Sequence, residues 1–192
     1  MSVVFSFVCP DTSPEACPEA LWALQLKLDD CAQELFGPRN PSKKLYQPTF
    51  EAGGPNVRNT ENQDGGFAEL SLTAAENWPA AIHELAHETI HLLDPRPGYP
   101  IGDGASWLEE GIAVNFSLAI SSAVGNQGKV SLKKYRLANG LVNRLGGDLF
   151  RKVSDIRKKC GHFSDATVSD ILEVAPNLPK HVAEKLCMSF YK

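Results

Sequence analysis

The sequence predicts one domain of the α+β class that spans residues 1–192. The strand-like segments all lie in the first part of the chain, and helical periodicity runs through nearly all of the rest. With 192 residues and a hydrophobic content of 43%, the chain is long enough for one substantial core and short for two. We therefore expect a small N-terminal mixed sheet followed by a mostly helical C-terminal half.

The elements before the sheet follow from residue type and spacing. Val3 to Val8 is β-branched and aromatic, which predicts a first strand. Residues 13–37 carry apolar side chains at helical spacing and end at a glycine, which predicts an amphipathic helix. Proline, asparagine and glycine dominate the next stretch, where "KLYQPTF" is one strand candidate and "GGPNVRNTENQDGG" predicts a mobile loop.

A strand and a series of helices follow this loop. Gly66 to Thr73 alternates apolar and polar residues, which predicts a strand with one solvent-exposed face. The next segment, "AAIHELAHETIHLLDP", has helical periodicity from Ala80 onward. "ASWLEEGIAVNFSLAISSAV" and "SLKKYRLANGLVNRLG" predict two further helices, and shorter helical segments surround "TVSDILEV" and "KHVAEKLCMSFY".

Composition and charge exclude several classes of partner. The 19 basic and 23 acidic residues include no basic tract, so neither nucleic acid nor an anionic membrane is expected as a partner. No window approaches the roughly 18 apolar residues that a membrane span requires, and the N-terminus lacks the positive region of a signal peptide. The 5 cysteines contain no C-x-x-C pair, which predicts reduced thiols. We expect a cytoplasmic protein, with secretion by a route that uses no cleavable signal as the alternative.

The chemistry of the chain is concentrated in the histidine helix. His83, Glu84 and His87 form an H-E-x-x-H motif, and residues four apart lie one turn above each other, so both imidazoles can bind the same metal ion. Two imidazoles suit Zn²⁺, one ion per chain, and a third protein ligand leaves the fourth position open to water. Glu84 is then the predicted general base. A solvated helix is the alternative, but the apolar neighbours Ile82 and Leu85 predict burial.

A third ligand has to come from another element. A stretch rich in glycine and proline ends the histidine helix, and Ser106 or Asp103 can cap the next one. The first turn of that helix offers two carboxylates, Glu109 and Glu110. They point about 100° apart around the helix axis, so only one of them can face the metal squarely.

The two motifs together resemble the gluzincin metallopeptidases, including their small single-domain members. In that family a second helix carries W-L-x-E-G-x-A, which matches Trp107, Leu108, Glu110, Gly111 and Ala113. The resemblance implies a minimal zincin-like fold, a peptide or protein substrate, and zinc held by His83, His87 and Glu110. No acidic motif typical of an aminopeptidase anchor precedes the helix, which favours an endopeptidase.

The resemblance also implies how substrate is held. Gluzincins place an edge strand beside the catalytic helix, where it pairs with an extended peptide, and Gly66 to Thr73 is the matching segment. The alternative for this segment is an ordinary core strand whose edge is covered. A tyrosine or histidine from a later helix stabilises the oxyanion in that family. Tyr135 is the first candidate for that role, followed by His162 and Tyr99.

Three further polar side chains need an interpretation. His91 lies one turn beyond His87, where helical drift of about 40° carries it away from the metal, and Leu93 occupies the position of the third metzincin histidine. We therefore interpret His91 as a structural or supporting histidine. Glu109 is predicted to face solvent at a helix N-terminus, with support of a metal ligand as the alternative. Asp94 is predicted to be a helix-end acid, with orientation of a zinc-bound histidine as the alternative.

The sequence departs from thermolysin at Val114, where that enzyme has an aspartate that supports a zinc-binding histidine. Asn115 or Ser117 is the expected substitute. Two other functions stay open: a narrow-specificity regulatory or secreted protease that acts on one protein, and an inactive zinc-binding interaction module. Residues 51–66 are expected either to cover the cleft as a lid or to be cut as a regulatory segment, and no oligomeric state is predicted.

Overall fold

The computed structural model describes residues 3–96, 104–128 and 130–191. These residues form a mixed α/β structure with a small sheet and a helical C-terminal half, which confirms the predicted class at this coarse level. The elements are, in chain order, α1 (Pro18–Phe36), β1 (Lys44–Leu45), β2 (Thr49–Phe50), β3 (Asn56–Asn59), β4 (Gly65–Leu70), α2 (Leu72–Glu76), α3 (Trp78–Leu92), α4 (Trp107–Ala123), α5 (Lys133–Asn143), α6 (Leu149–Cys160), α7 (Val168–Val174) and α8 (Lys180–Cys187).

The sheet is mixed, and β4 runs through its centre. β3 pairs antiparallel with β4, whereas β1 and β2 pair parallel with it, one after the other. The carbonyl oxygens of Asp64, Gly66 and Leu70 accept bonds from the β1 and β2 side, and that of Gly65 accepts from Thr60 beyond β3. Both edges of β4 are therefore occupied, and the prediction that it is the edge strand is wrong.

The edge position beside α3 belongs instead to β3. This strand lies inside the segment predicted to be a mobile loop. Its sequence "NVRN" favours a loop, because it carries two asparagines and only one β-branched residue. It pairs with Gly66 to Glu69 as the first strand of a hairpin, across the short loop at residues 60–64, but its composition gives little sign of this pairing. The predicted strand at 66–73 ends at Leu70, because Ser71 caps α2.

Three other predictions need correction. Val3 to Val8 has the alternating burial of a strand, with Phe7 against the ring of Trp78 at 5.5 Å, but it forms no ladder with the described residues. "KLYQPTF" holds two short strands rather than one. The sequence analysis also missed α6, whose buried Val153 and Ile156 pack into the core.

The helices that carry the predicted site begin at side-chain caps. The Asn77 side chain accepts a bond from the backbone N–H of Ala80 at the start of α3, which is 3.0 Å away. Ser106 caps α4 by accepting from the backbone N–H of Glu109, as predicted, and Asp103 lies outside the described residues. Both helices are buried along much of their length in the central core. The histidines of α3 and the glutamates of α4 are thus held on rigid elements.

Among the residues described, no helix has the length and hydropathy needed to cross a membrane. All five cysteines have free thiols, as the sequence predicted.

Gly111 allows α5 to approach α4 closely. An added Cβ would lie 2.4 Å from Val142 Cγ2 and 2.6 Å from the Ala138 carbonyl oxygen, distances that require α5 to move. We expect Gly111→Ala to lower the free energy of unfolding by about 1–3 kcal/mol, the usual cost of overpacking, as measured by urea denaturation.

Gly140 on α5 supplies the matched control, since nothing lies within 4 Å of a Cβ added there. Gly140→Ala is expected to raise the free energy of unfolding by about 0.4–1 kcal/mol, because alanine favours the helix. Equal effects at the two glycines would contradict a close contact between α4 and α5.

Candidate metal centre

A stripe of polar side chains runs along one face of α3 and borders two neighbouring cavities. The main cleft, of about 450 Å³, is lined by His83, Glu84, His87, Glu88 and Tyr135, together with the residues Pro55, Val114, Val130, Ser131 and Leu132. The inner cavity, of about 70 Å³, lies on the far side of His87. Its lining includes the site residues His87, Glu88, His91, Glu109, Glu110, Tyr135, His162 and Tyr191.

His87 and Glu110 join the two sequence motifs. The Nε2 atom of His87 lies 3.2 Å from Glu110 Oε2, across the interface between α3 and α4. Glu110 is only 2% exposed. Burial alone would raise the pKa of Glu110, but His91 and His87 outweigh it and hold that pKa below its ordinary value. Glu110 is therefore an ionised carboxylate that faces an imidazole, and both groups are metal ligands by chemistry.

His83 is held by its other ring nitrogen. Its Nδ1 atom lies 3.2 Å from the hydroxyl oxygen of Ser121 on α4, which itself donates to the backbone carbonyl of Ser117. Burial and the neighbouring His87 lower the pKa of His83, so its imidazole is neutral at neutral pH. Histidines that bind metal through one nitrogen are usually held through the other in this way.

This support differs from the one expected from the sequence. Ser117 supports His83 through its backbone. Its hydroxyl instead donates to the carbonyl of Val114. The prediction for Asn115 is wrong, since its side chain donates to the carbonyl of Gly111. The sequence did not predict the role of Ser121, because it lies 38 positions from His83 and no local pattern indicates the contact.

Glu84 borders the main cleft between the two histidines of the motif. Ser71, just after β4, donates to both of its carboxylate oxygens: the backbone N–H to Oε2 at 2.8 Å and the hydroxyl to Oε1 at 2.6 Å. These bonds fix the direction of the carboxylate. Each oxygen keeps a second lone pair, so Glu84 can still accept a proton or a further hydrogen bond.

Glu109 is buried, and the prediction that it faces solvent is wrong. It is 4% exposed and accepts bonds from His91 Nδ1, at 2.8 Å, and from the Ser164 hydroxyl. Burial alone would raise its pKa, but His91 and Ser164 lower the pKa of Glu109 to about 2. Sequence reasoning missed these contacts because Ser164 is 55 positions away.

His91 is the partner that compensates both buried carboxylates. Burial by itself lowers its pKa, yet Glu110 and Glu109 raise the pKa of His91 to about 10. Its Nε2 atom lies 3.8 Å from Glu110 Oε2. His91 is therefore a charged histidine in contact with the candidate ligand Glu110.

The residues described contain one group whose donor atoms are close enough for a shared metal ion. The donor atoms of His87, His91 and Glu110 lie within 4.8 Å of one another. The set predicted from the sequence has His83 in place of His91, and His87 and Glu110 belong to both. The predicted set of His83, His87 and Glu110 does not meet this distance among the described residues. The charge of the third ligand also differs, because His83 is neutral, whereas His91 has to lose a proton before it can bind a metal.

The predicted oxyanion residues have different surroundings. The ring of Tyr135 packs edge-on against His87, with centroids 5.6 Å apart, and it lines both cavities. His162 lies deeper, where its Nδ1 accepts from the backbone N–H of Ser164 and lies 3.9 Å from Glu109. Tyr99 is outside the described residues. Asp94 accepts from the Asn40 side chain after the end of α3, as a helix-end acid would.

Tyr191 is a site residue that the sequence analysis missed. Its hydroxyl donates to Glu110 Oε1 at 3.1 Å. The preceding residues hold it there, because Ser189 bridges to Ser106 and Phe190 donates to the carbonyl of Ala105. The sequence places "SFY" in a predicted helical segment, and no local pattern indicates that it contacts the residues at the start of α4.

Tyr191→Phe is expected to weaken zinc binding by about tenfold, because loss of a hydrogen bond to a metal-binding carboxylate typically costs 10–100-fold in affinity. Competition with a zinc-binding dye measures the change. Tyr46→Phe is the matched control, since that hydroxyl donates to Asp64 at 2.6 Å, outside both cavities. Unchanged affinity in Tyr191→Phe would remove Tyr191 from the metal centre.

No protein-family description matches the chain, and the comparisons with curated proteins and with solved structures likewise found no match. A function for this protein has to come from the chemistry of its own residues.

Proposed function

We propose that the protein is a zinc-dependent peptidase in which His83, His87 and Glu110 hold the metal and Glu84 is the general base. The observation that carries the proposal is the approach of His87 Nε2 to Glu110 Oε2, 3.2 Å apart, because His87 also lines the main cleft together with His83 and Glu84. Glu110 lines the inner cavity, so His87, which lines both cavities, is the point where donors from the two motifs meet.

The donor set fits zinc. Two imidazole nitrogens and one carboxylate oxygen leave a fourth position of the ion open. Glu110 is ionised. Ser121 contacts the Nδ1 atom of His83, which leaves its Nε2 atom for the metal. When bound, zinc lowers the pKa of a water molecule and polarises the carbonyl of a substrate.

Glu84 would handle the proton of the hydrolytic water. Ser71 holds its carboxylate at the edge of the cleft, so no side-chain reorganisation is needed before proton transfer. The carboxylate takes a proton from the attacking water and delivers it to the nitrogen of the leaving amine. Tyr135, whose ring packs against His87, is the proposed donor to the oxyanion that develops on the substrate.

β3 would hold the substrate. Thr60 N–H bonds to Gly65, and alternation along the antiparallel ladder directs the backbone groups of Val57 and Asn59 away from β4. Pro55, just before β3, lines both cavities, and Val57 and Asn59 line the inner one. An extended peptide that adds to this edge would pass beside His87. β3 therefore takes over the substrate-binding role expected of the strand at 66–73.

A second function is favoured by the alternative donor set. With His87, His91 and Glu110 as ligands, the metal would sit toward the inner cavity, and Glu84, bonded to Ser71, would lie beside a different cleft. Such a protein would bind a metal ion without peptidase activity. Its site would serve structure or interaction.

Metal content and peptide cleavage, measured on the same sample, separate these functions. We expect dialysed wild-type protein to contain one equivalent of zinc and to cleave unstructured peptides, with cleavage lost on chelation and restored by zinc. Less than about half an equivalent of zinc would refute the site. A full equivalent with no cleavage of a broad peptide library would favour the non-catalytic function.

A further inference from the structure

Glu88 has no role in the chemistry proposed above, although it lies in the middle of the site. It follows Glu84 by four residues and so lies on the same face of α3, one turn further along. Its side chain is 4% exposed and lines both the main cleft and the inner cavity.

The carboxylate of Glu88 differs from its neighbours in having no hydrogen-bond donor among the described residues. Glu84 accepts from Ser71, Glu109 from His91 and Ser164, and Glu110 from Tyr191. Buried carboxylates are normally paired or hydrogen-bonded, because each loses its hydration on burial. A carboxylate without a donor at the wall of a cleft is therefore ready to take a donor from a ligand.

The surroundings of Glu88 favour a particular kind of ligand group. Pro55, Val114 and Leu132 give the main cleft apolar walls, and its volume of about 450 Å³ accommodates a long side chain. A carboxylate at the wall of an apolar cleft suits an aliphatic stem that ends in a cationic nitrogen. The charged His91 already faces Glu109 and Glu110, so it offers no such complement to a carboxylate or phosphate ligand.

We propose that Glu88 selects peptides that carry a positively charged nitrogen beside the scissile bond, either a lysine or arginine side chain or a free α-amino group. This inference rests on the proposed peptidase function. It makes Glu88 a specificity-determining residue at the edge of the metal centre, distinct from the general base Glu84.

Matched peptides test the proposal and separate the two sources of the nitrogen. One series replaces lysine with norleucine, which keeps the stem and removes the charge, at each position next to the scissile bond. The other compares free and acetylated N-termini on the norleucine peptide. We expect wild-type kcat/KM to be about tenfold or more higher for one charged member, as expected for a hydrogen bond to a charged group, and that member identifies the source.

The same ratio in Glu88→Gln is expected to fall to near one, while the zinc content stays at the wild-type level. A ratio cancels any general change in activity, so partial loss of folded protein does not affect it. Glu76→Gln, which neutralises an exposed carboxylate on α2, is the matched control and should keep the wild-type ratio.

Peptide binding to zinc-free protein, measured by calorimetry, supplies a readout that does not depend on cleavage. Tighter binding of the charged peptide than of the norleucine peptide, lost in Glu88→Gln, supports recognition by Glu88. If the protein that shows this preference cleaves no peptide, the peptidase proposal fails and recognition by Glu88 stands. Cleavage by the wild type with no preference in any series overturns the inference and leaves the peptidase standing. Loss of zinc in Glu88→Gln also overturns it, because Glu88 would then belong to the metal site.

Discussion

Glu84→Gln is expected to keep its zinc and to lose peptide cleavage by a factor of about 10²–10⁴, the usual contribution of a general base. Glutamine retains the shape of glutamate and can accept one of the two Ser71 bonds through its amide oxygen, but its NH2 group can neither accept the other bond nor take a proton from water. Steady-state kinetics on a fluorogenic peptide and metal analysis of the same preparation measure the two properties.

The control for this experiment is again Glu76→Gln, since it removes an exposed carboxylate from the preceding helix. Its zinc content and its rate should both match the wild type. Cleavage in Glu84→Gln that stays within about threefold of the wild type would exclude Glu84 as the base. Loss of zinc from that variant would instead make Glu84 part of the metal centre.

His87→Ala is expected to weaken zinc binding by about 10²–10³-fold, and cleavage should vanish with it. This magnitude follows from an equal share, over four ligands, of the roughly 10–16 kcal/mol that structural zinc sites provide. His87 belongs to both candidate donor sets and directly faces Glu110, so its loss is expected to weaken binding whichever set holds the metal. Zinc competition assays in each variant give the affinities.

The two other histidines distinguish the donor sets. If zinc is held as proposed, His83→Ala should weaken binding as much as His87→Ala, and His91→Ala by only about tenfold, as for a supporting residue. The reverse ranking would assign the metal to His87, His91 and Glu110. His181→Ala, on the exposed face of α8, is the control for removal of a histidine and should leave zinc affinity unchanged.

The elements around the site were predictable where their signals are local. α3 and α4 combine helical periodicity with caps at Asn77 and Ser106, and both begin within a few residues of the predicted positions. β3 was not predictable, because its four residues form a strand only through pairing with β4. The interior position of β4 also depends on its parallel pairing with β1 and β2, which the alternating pattern of β4 does not reveal.

The residues of the site were likewise predictable only where the signal is local. The spacing of His83, Glu84 and His87 fixes their common face on α3, and that face does border a cleft. The burial of Glu109 depends on Ser164, and the hydrogen bond to Glu110 comes from Tyr191, each far along the chain. A residue that acts through a tertiary contact has no spacing rule to reveal it, whereas residues that share a helix do.

The contact between Glu110 and Tyr191 also has a consequence for synthesis of the protein. It joins positions 81 residues apart, and the Ser164 contact of Glu109 spans 55. While the ribosome is still adding the intervening helices, α3 and α4 can already pack, but both buried carboxylates lack a hydroxyl donor. The proposed metal centre is therefore complete only once residue 191 has folded back onto α4.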